Sequence, residues 1–221
     1  MKFLEKYAIR RIDVIVALYV FLVVASEVFG AKTFPLFTIG SFTLTASVAI
    51  FVLPFVYSIS DVVLEVHGRE RARGLVLIGV GTITLLMLYA LLATSLPPSS
   101  RFAPNEAAYD QIFQFSIRMS LASLIAFVVA EMLDIAIFAK LRERMKNKAL
   151  WLRNNVSNFV AFFVDSAIFL TLAFYAFDKS PASNFVFIMG LLLPYWLLKC
   201  FMSIIETPFV YAGVKWLKRD K

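Results

Sequence analysis

The sequence predicts an all-α membrane protein, a polytopic bundle of six transmembrane helices with both chain ends on the cytoplasmic side. Three observations predict it. Six runs are long and apolar enough to cross a bilayer, which takes about 20 mostly apolar residues. Charged residues make up 17% of the 221-residue chain and hydrophobic ones 61%, where soluble domains carry about 25% charged. Basic residues also gather in alternate connections between the runs. The apolar residues run continuously instead of recurring at helical spacing. One integral membrane domain over 1–221 is therefore expected, with little left for a soluble module.

The spans are predicted at approximately 12–30, 43–60, 74–96, 112–140, 156–177 and 187–214. All should be helices, because lipid cannot satisfy open backbone groups. Arg10-Arg11 before the first run has the outline of a targeting signal. The run lacks a small-residue cleavage site and leads into further spans, so it reads as the first membrane helix. The segment TFPLFTIGSFTLT, 33–45, alternates partly around Ile39-Gly40. It has the pattern of a short hairpin cap, with an irregular loop as the alternative. The second span is the shortest and contains Pro54. The sixth is the longest and contains Pro194 and Pro208, so kinks or tilt are expected there. In the fourth, Ala122, Ala126 and Ala130 form a small-residue stripe that lets a neighbouring helix approach closely. That neighbour is internal or belongs to a second copy in a homo-oligomer. Trp196, beside Tyr195 in the sixth span, reads as packing or lipid-facing before it reads as a ligand platform.

The charge pattern sets the orientation. One side holds Lys2, Lys6, Arg10, Arg11, Arg69, Arg71, Arg73, Lys140, Arg142, Arg144, Lys146, Lys148, Arg153, Lys215, Lys218, Arg219 and Lys221. The other side holds Lys32, Arg101 and Lys179. Seventeen against three is a strong positive-inside signal. Topology accounts for the net charge of +7, so no nucleic-acid partner is expected. With one histidine, His67, and one cysteine, Cys200, zinc-protease and thiolate metal sites are effectively excluded. The chain contains no GxxxxGK[ST] loop, GxSxG elbow, HExxH helix or GxGD motif. It is expected not to be an enzyme and to need no cofactor.

Charges inside the apolar runs are the informative feature. Glu131, Asp134, Asp165, Lys199 and Glu206 fall at membrane depth, where each costs about 2.5–3.5 kcal/mol on insertion scales. Asp61 precedes Arg69 by eight residues, Asp134 precedes Arg142 by eight and Glu206 precedes Lys215 by nine. At about 1.5 Å per residue, these three acids share one inner layer, roughly 12–14 Å above the basic clusters. Asp165 and Glu131 come out nearer mid-membrane, Lys199 and Arg118 in the outer half. Such carboxylates serve as proton carriers, cation ligands or acceptors for a polar substrate. A guanine-like edge suits the last use: its adjacent N–H donors fit one carboxylate, phenylalanines supply stacking faces, and Lys or Arg can donate to a carbonyl. Internal ion pairing is the competing explanation for any one of these residues.

SDVVLEVHGRERAR (60–73), AEMLDIAIFAKLR, WLRNN (151–155) leading to Asp165, and LLKCFMSIIETPFVYAGVKWLK (197–218) resemble the queuosine precursor transporter family. This family also goes by the names vitamin uptake transporter and DUF165. The resemblance runs from about residue 12 to 219, with matches at Asp61, Glu65, Gly68, Arg71, Arg118, Asp134, Asp165, Lys199 and Pro208. Glu131 and Phe162 depart from it: the family often has Gln at the first and an amide at the second. The resemblance implies a multi-pass inner-membrane importer of 7-cyano-7-deazaguanine and 7-aminomethyl-7-deazaguanine, precursors of queuosine or archaeosine. It also implies similarity to the substrate-binding subunits of energy-coupling-factor transporters. The expected substrate-binding set is Asp165, Asp134, Glu131, Lys199, Arg118, Glu206 and Asp61. The weight rests most on Asp165 and the Glu131–Asp134 pair, and least on Asp61. Two other readings are a subunit that borrows an ATP-driven energy-coupling module and a non-transporting scaffold whose buried charges only pair.

Overall fold

The computed structural model describes residues 9–40, 42–113, 117–146 and 148–220. Lys2, Lys6 and Lys221 of the basic count lie outside the described residues. Six helical segments are long and apolar enough to cross a membrane: α1 (Arg11–Phe29), α2 (Leu53–His67) together with the 3-10 turn Val48–Phe51 before it, α3 (Arg69–Ser95), α5 (Ile117–Arg144), α6 (Leu150–Phe174) and α7 (Pro181–Leu217). A short helix α4 (Glu106–Phe113) precedes α5, and a hairpin of β1 (Thr33–Ile39) and β2 (Phe42–Ser47) precedes α2. The all-α bundle is as the sequence predicts, and of the two readings of 33–45 the structure has the hairpin.

The second predicted span begins too early. Phe42–Ser47 alternates, and it pairs antiparallel with Thr33–Ile39 in a register running from Thr33 opposite Ser47 to Ile39 opposite Phe42. Extended pairing holds the chain out of a helix until Ser47. There the Ser47 hydroxyl accepts from the Ala49 N–H and donates to the Gly30 carbonyl at 2.6 Å. A 3-10 turn, Val48–Phe51, leads into α2, with Pro54 in its first turn where proline costs no hydrogen bond. Asp61 and Glu65, expected at or beyond the end of this span, thus lie inside the helix. Gly68 ends α2 at a φ of 85°, a left-handed conformation that favours glycine, and α3 starts at the next residue. Arg69, Arg71 and Arg73 therefore belong to α3 and not to a loop.

Helix α2 is the axis of the bundle. About 72% of its apolar window is buried, against 17% for α7. It packs on α1, α3 and α7 directly and on α5 more loosely, while α5, α6 and α7 pack in sequence around the polar side of α2. Tyr19, Val56, Val63, Leu64, Val76, Ile135, Phe138 and Val210 form the shared core. The α1–α3 contact is close because a Cβ on Gly79 would lie 3.0 Å from the Tyr19 ring. Ala122, Ala126 and Ala130 are buried inside the chain, so the small-residue stripe packs internally. Pro194 and Pro208 sit within a continuous α7. Trp196 ties α7 to α6, donating to the Phe159 carbonyl at 2.8 Å and meeting Phe163 edge-on.

The exterior is apolar: Leu85, Tyr89, Phe185, Val186 and Phe201 are among many large exposed side chains. An apolar shell around polar helix faces is the arrangement a bilayer demands. The two ends of the bundle are chemically distinct. At one end Arg11 donates to the Trp216 carbonyl at 2.6 Å, and Arg142 to the Leu64 carbonyl at 3.2 Å. The start of α1 and the ends of α2, α5 and α7 thus meet among the basic residues. The hairpin lies at the opposite end, where the Ser47 N–H donates to the Tyr195 hydroxyl at 2.9 Å.

Replacing Ala130, which is fully buried, with leucine should over-pack α5 and cost about 1–3 kcal/mol, read as a lower Tm of the detergent-solubilised protein. A fluorescent reporter that matures only in the cytoplasm should be bright when fused after Lys221 and dark when inserted after Ser99. The reverse pattern would invert the orientation drawn from the basic residues.

Candidate functional site

Four helices each turn a polar stripe toward the interior. On α2 these are Ser58, Asp61 and Glu65, three and four residues apart, with Tyr57 and Ser60 beside them. On α5 they are Glu131 and Asp134. On α6 they are Arg153, Asn154, Ser157, Asn158 and Ser166, and on α7 Lys199, Ser203 and Glu206. All are buried. Spacings of three and four put each set on one helix face, so burying these faces against each other leaves the apolar residues for lipid. The result is a polar column along α6, in which the twelve residues from Arg153 to Asp165 rise about 18 Å.

The column has three levels. At the basic end, fully buried Arg153 pairs with Glu65 at 3.0 Å and lies over the Phe138 ring at 5.1 Å. Arg142 adds a second contact to Glu65 at 3.6 Å. At the far level, the Lys199 ammonium pairs with Asp165 at 2.6 Å and donates to the Ser166 hydroxyl at 3.2 Å, with the Tyr195 ring beside it. This pair is slightly open, 11% and 15% exposed.

The middle level holds acids without a basic partner. Asp134, Glu131 and Glu206 lie near Asp61. Asn158 donates to Asp61 at 3.4 Å and to Ser203 at 3.1 Å. Ser203 donates to Asn155 at 3.2 Å, and Ser60 donates to Glu131 at 2.8 Å. Glu206 faces Ser58 and Asp134, and Asp134 faces Ser157. Among the described residues, no Lys, Arg or His forms an ion pair with Asp61, Glu131, Asp134 or Glu206. One oxygen each of Asp61, Glu131 and Asp134, both of Glu206, the Asn158 oxygen and both polar atoms of Asn154 are buried without a hydrogen-bond partner. Buried acceptors in that condition cost about 1–3 kcal/mol each, more when charged. Above them, Tyr57 faces Asp165, Glu131 and Asp134 and meets Phe162 edge-on at 4.7 Å between ring centroids. An apolar groove of about 250 Å³ between α1, α2 and α7 reaches Ser58, the serine that faces Glu206. Among the described residues, no group of His, Cys, Asp and Glu has the arrangement of a metal site.

Six of the seven expected residues thus fall along one column. Asp61, Asp134 and Glu206 form the shared layer that depth counting gives them, with Glu131 beside it. Asp61 is fully buried. Asp165 and Lys199 satisfy one another. Arg118 stands apart: exposed, it donates to the carbonyls of Leu172 and Tyr175 at 2.7 and 2.6 Å and so caps the C-terminus of α6. Sequence reasoning missed Asn154, Ser157, Asn158 and Ser203, and it missed the Glu65–Arg153 pair. The signal was present as polar residues at helical spacing: 154, 158 and 165 on α6, and 199, 203 and 206 on α7. It also passed over Glu27 in α1, whose carboxylate accepts from Ser123 at 3.2 Å.

Breaking the Glu65–Arg153 pair from one side should cost stability. Glu65→Ala leaves Arg153 buried with no carboxylate, and breaking such a pair from one side costs about 3–5 kcal/mol. Adding Arg153→Leu should restore much of that loss, measured as Tm of the purified double variant against the single one.

The comparisons with known proteins agree with this architecture. Residues 47–213 match the family model described as "putative vitamin uptake transporter". The chain is 30% identical over 185 residues to a protein of Bacillus subtilis named "probable queuosine precursor transporter", covering 83% of this chain and 78% of that protein. A protein of the same name from Haemophilus influenzae is 28% identical over 123 residues, 55% of this chain and 49% of that one. No solved structure matches. The matched region takes in α2, α3, α5 and α6 whole and α7 to within four residues of its end. The transporter assignment agrees with the expectation of a multi-pass, non-enzymatic membrane protein, and the chain belongs to the vitamin uptake transporter family.

Proposed function

We propose that this protein imports queuosine or archaeosine precursors, 7-cyano-7-deazaguanine and 7-aminomethyl-7-deazaguanine, across the cell membrane for tRNA modification. The observation that carries the reading is the set of buried acceptor oxygens without partners in the middle of the column. A 7-deazaguanine presents a ring N–H and an exocyclic amine side by side, and a carboxylate accepts both at once. Glu131, with one oxygen held by Ser60 and the other unpartnered, sits next to Asp134 and below Asp165. Tyr57 and Phe162 line the same level and supply aromatic faces. Lys199 can turn from Asp165 to the substrate's carbonyl oxygen. Arg118 marks the mouth at the far end. The two relatives named as probable queuosine precursor transporters support the substrate class.

A scaffold whose buried charges only pair would account for Glu65–Arg153 and Asp165–Lys199. It gives no reason for four acids facing one another without a base. A stand-alone carrier fits this arrangement better than a subunit awaiting an ATPase module, because the two ion pairs lie at opposite ends of the acid layer. Either can open to one side while the other stays closed.

Uptake of labelled 7-cyano-7-deazaguanine by cells unable to synthesise it tests the assignment. Glu131→Ala removes a charge-assisted acceptor, worth about 1.5–3 kcal/mol, and should weaken apparent affinity roughly tenfold or more. Asp165→Asn should lower uptake strongly at normal expression. Unimpaired uptake in both variants would sink the proposed site.

A further inference from the structure

We propose that Asn158 is a specificity-determining residue whose side-chain oxygen accepts the pyrrole N–H of the substrate ring, so that the carrier selects free deazaguanine bases over rings lacking that donor. This rests on the transport reading above and adds a neutral contact to it. It follows from the direction of a hydrogen-bond chain between α6 and α7.

The chain is anchored on backbone carbonyls, which only accept. The Asn155 amide nitrogen donates to the Trp151 carbonyl at 2.8 Å and to the Thr207 hydroxyl at 2.8 Å. The Thr207 hydroxyl directs its one hydrogen to the Ser203 carbonyl at 3.0 Å. The Asn155 oxygen is thereby left to accept, and it accepts from the Ser203 hydroxyl at 3.2 Å. Ser203 has no second hydrogen, so it can only accept from Asn158, whose amide nitrogen lies 3.1 Å away. That fixes the Asn158 amide. A flipped side chain would set its oxygen against a Ser203 oxygen with no hydrogen left to give. The same Asn158 nitrogen directs its other hydrogen at Asp61, 3.4 Å away. Both hydrogens are committed. The oxygen, on the other side of the amide, is fully buried and has no partner among the described residues.

A buried amide oxygen held in one orientation selects for a hydrogen donor, because a ligand without one leaves the acceptor unmade. Asn158 is neutral, so it takes a donor without favouring a cation. In the transport reading Glu131 takes the ring N–H and the exocyclic amine of the pyrimidine ring. The remaining ring donor of a deazaguanine is the pyrrole N–H, on the other ring. Glu131 bonds Ser60 and Asn158 bonds Asp61, consecutive residues of α2 that project about 100° apart. The two acceptors therefore reach the layer from different directions, as different edges of one ring system require. A nucleoside carries its sugar on the pyrrole nitrogen and has no hydrogen there. The contact thus admits the free base and refuses the nucleoside.

Binding of labelled 7-cyano-7-deazaguanine to the purified protein, challenged by two unlabelled competitors, tests this. One competitor is the same base. The other is its furan counterpart, in which a ring oxygen replaces the pyrrole N–H and the shape is kept. The base should compete at least about tenfold better than the furan. In Asn158→Ala the base should lose most of that advantage while the furan's own affinity changes little. Ser203→Ala, which releases the orientation of Asn158, should also shrink the ratio, and it serves where Asn158→Ala fails to fold. Equal competition by base and furan in wild type, or an equal loss for both in Asn158→Ala, would overturn the contact and leave the substrate reading standing. An unchanged ratio in Ser203→Ala would overturn the orienting chain. No saturable binding of the base would overturn the substrate reading and this contact with it.

Discussion

A carboxyl group at membrane depth has to find its hydrogen-bond donors inside the protein. Asp61, Glu131, Asp134 and Glu206 impose that requirement on the whole bundle. They come from α2, α5 and α7, and donors that answer them, the Asn158 amide and the Ser60 hydroxyl, come from α6 and α2. Helix α2 is therefore central not because it is the most apolar element but because it carries acids toward three others. The apolar residues take the outside by default, which suits lipid, and the hydrophobic core of Tyr19, Val63, Ile135 and Phe138 packs the remaining faces of α1, α2 and α5.

The buried charges divide into two kinds. Glu65–Arg153 and Asp165–Lys199 are neutralised pairs at the two ends of the column, and each joins two helices: α2 to α6 and α6 to α7. Such pairs contribute fixed geometry more than net stability, since desolvation offsets much of the attraction. Between them the acids have no cation, and several oxygens lack partners. A protein tolerates that cost where protons or ligand donors recover it. In the proposed carrier the end pairs are the two closures and the unpaired acids are the site between them. The hairpin reaches the far pair, because Ser47 on β2 bonds Tyr195, whose ring lies beside Lys199.

Much of this was legible in the sequence, for particular reasons. Six continuous apolar runs give six helices, and basic segregation marks the end where they meet. Counting rise per residue from the basic clusters placed Asp61, Asp134 and Glu206 in one layer, since near-straight helices crossing the same slab keep a common scale. The start of the second span was misread because the apolar residues of TLTAS alternate, and the hairpin partner at Thr33–Ile39 claims them as strand. Pairing Asp165 with Lys199 needed the α6–α7 contact, which spacing within either helix does not reveal. Asn154 and Asn158 escaped because amides carry no formal charge, although inside an apolar run a buried amide is as informative as an acid. Arg118 entered the expected set by its charge and by its match to the family. Its carbonyl partners at the end of α6 lie more than 50 residues away in sequence.

The unpartnered acceptors of the middle layer are proposed to bind the donor edge of a deazaguanine. Thermal unfolding of the purified protein across a ligand series tests this most directly, because a ligand that binds the folded state raises Tm by more the further its concentration exceeds its Kd. 7-Cyano-7-deazaguanine should raise Tm. The same ring lacking the exocyclic amine should raise it far less, since a site built to accept a hydrogen bond rejects a ligand that cannot donate one. Equal shifts for the two ligands, or none for either, would contradict that role for the acid layer.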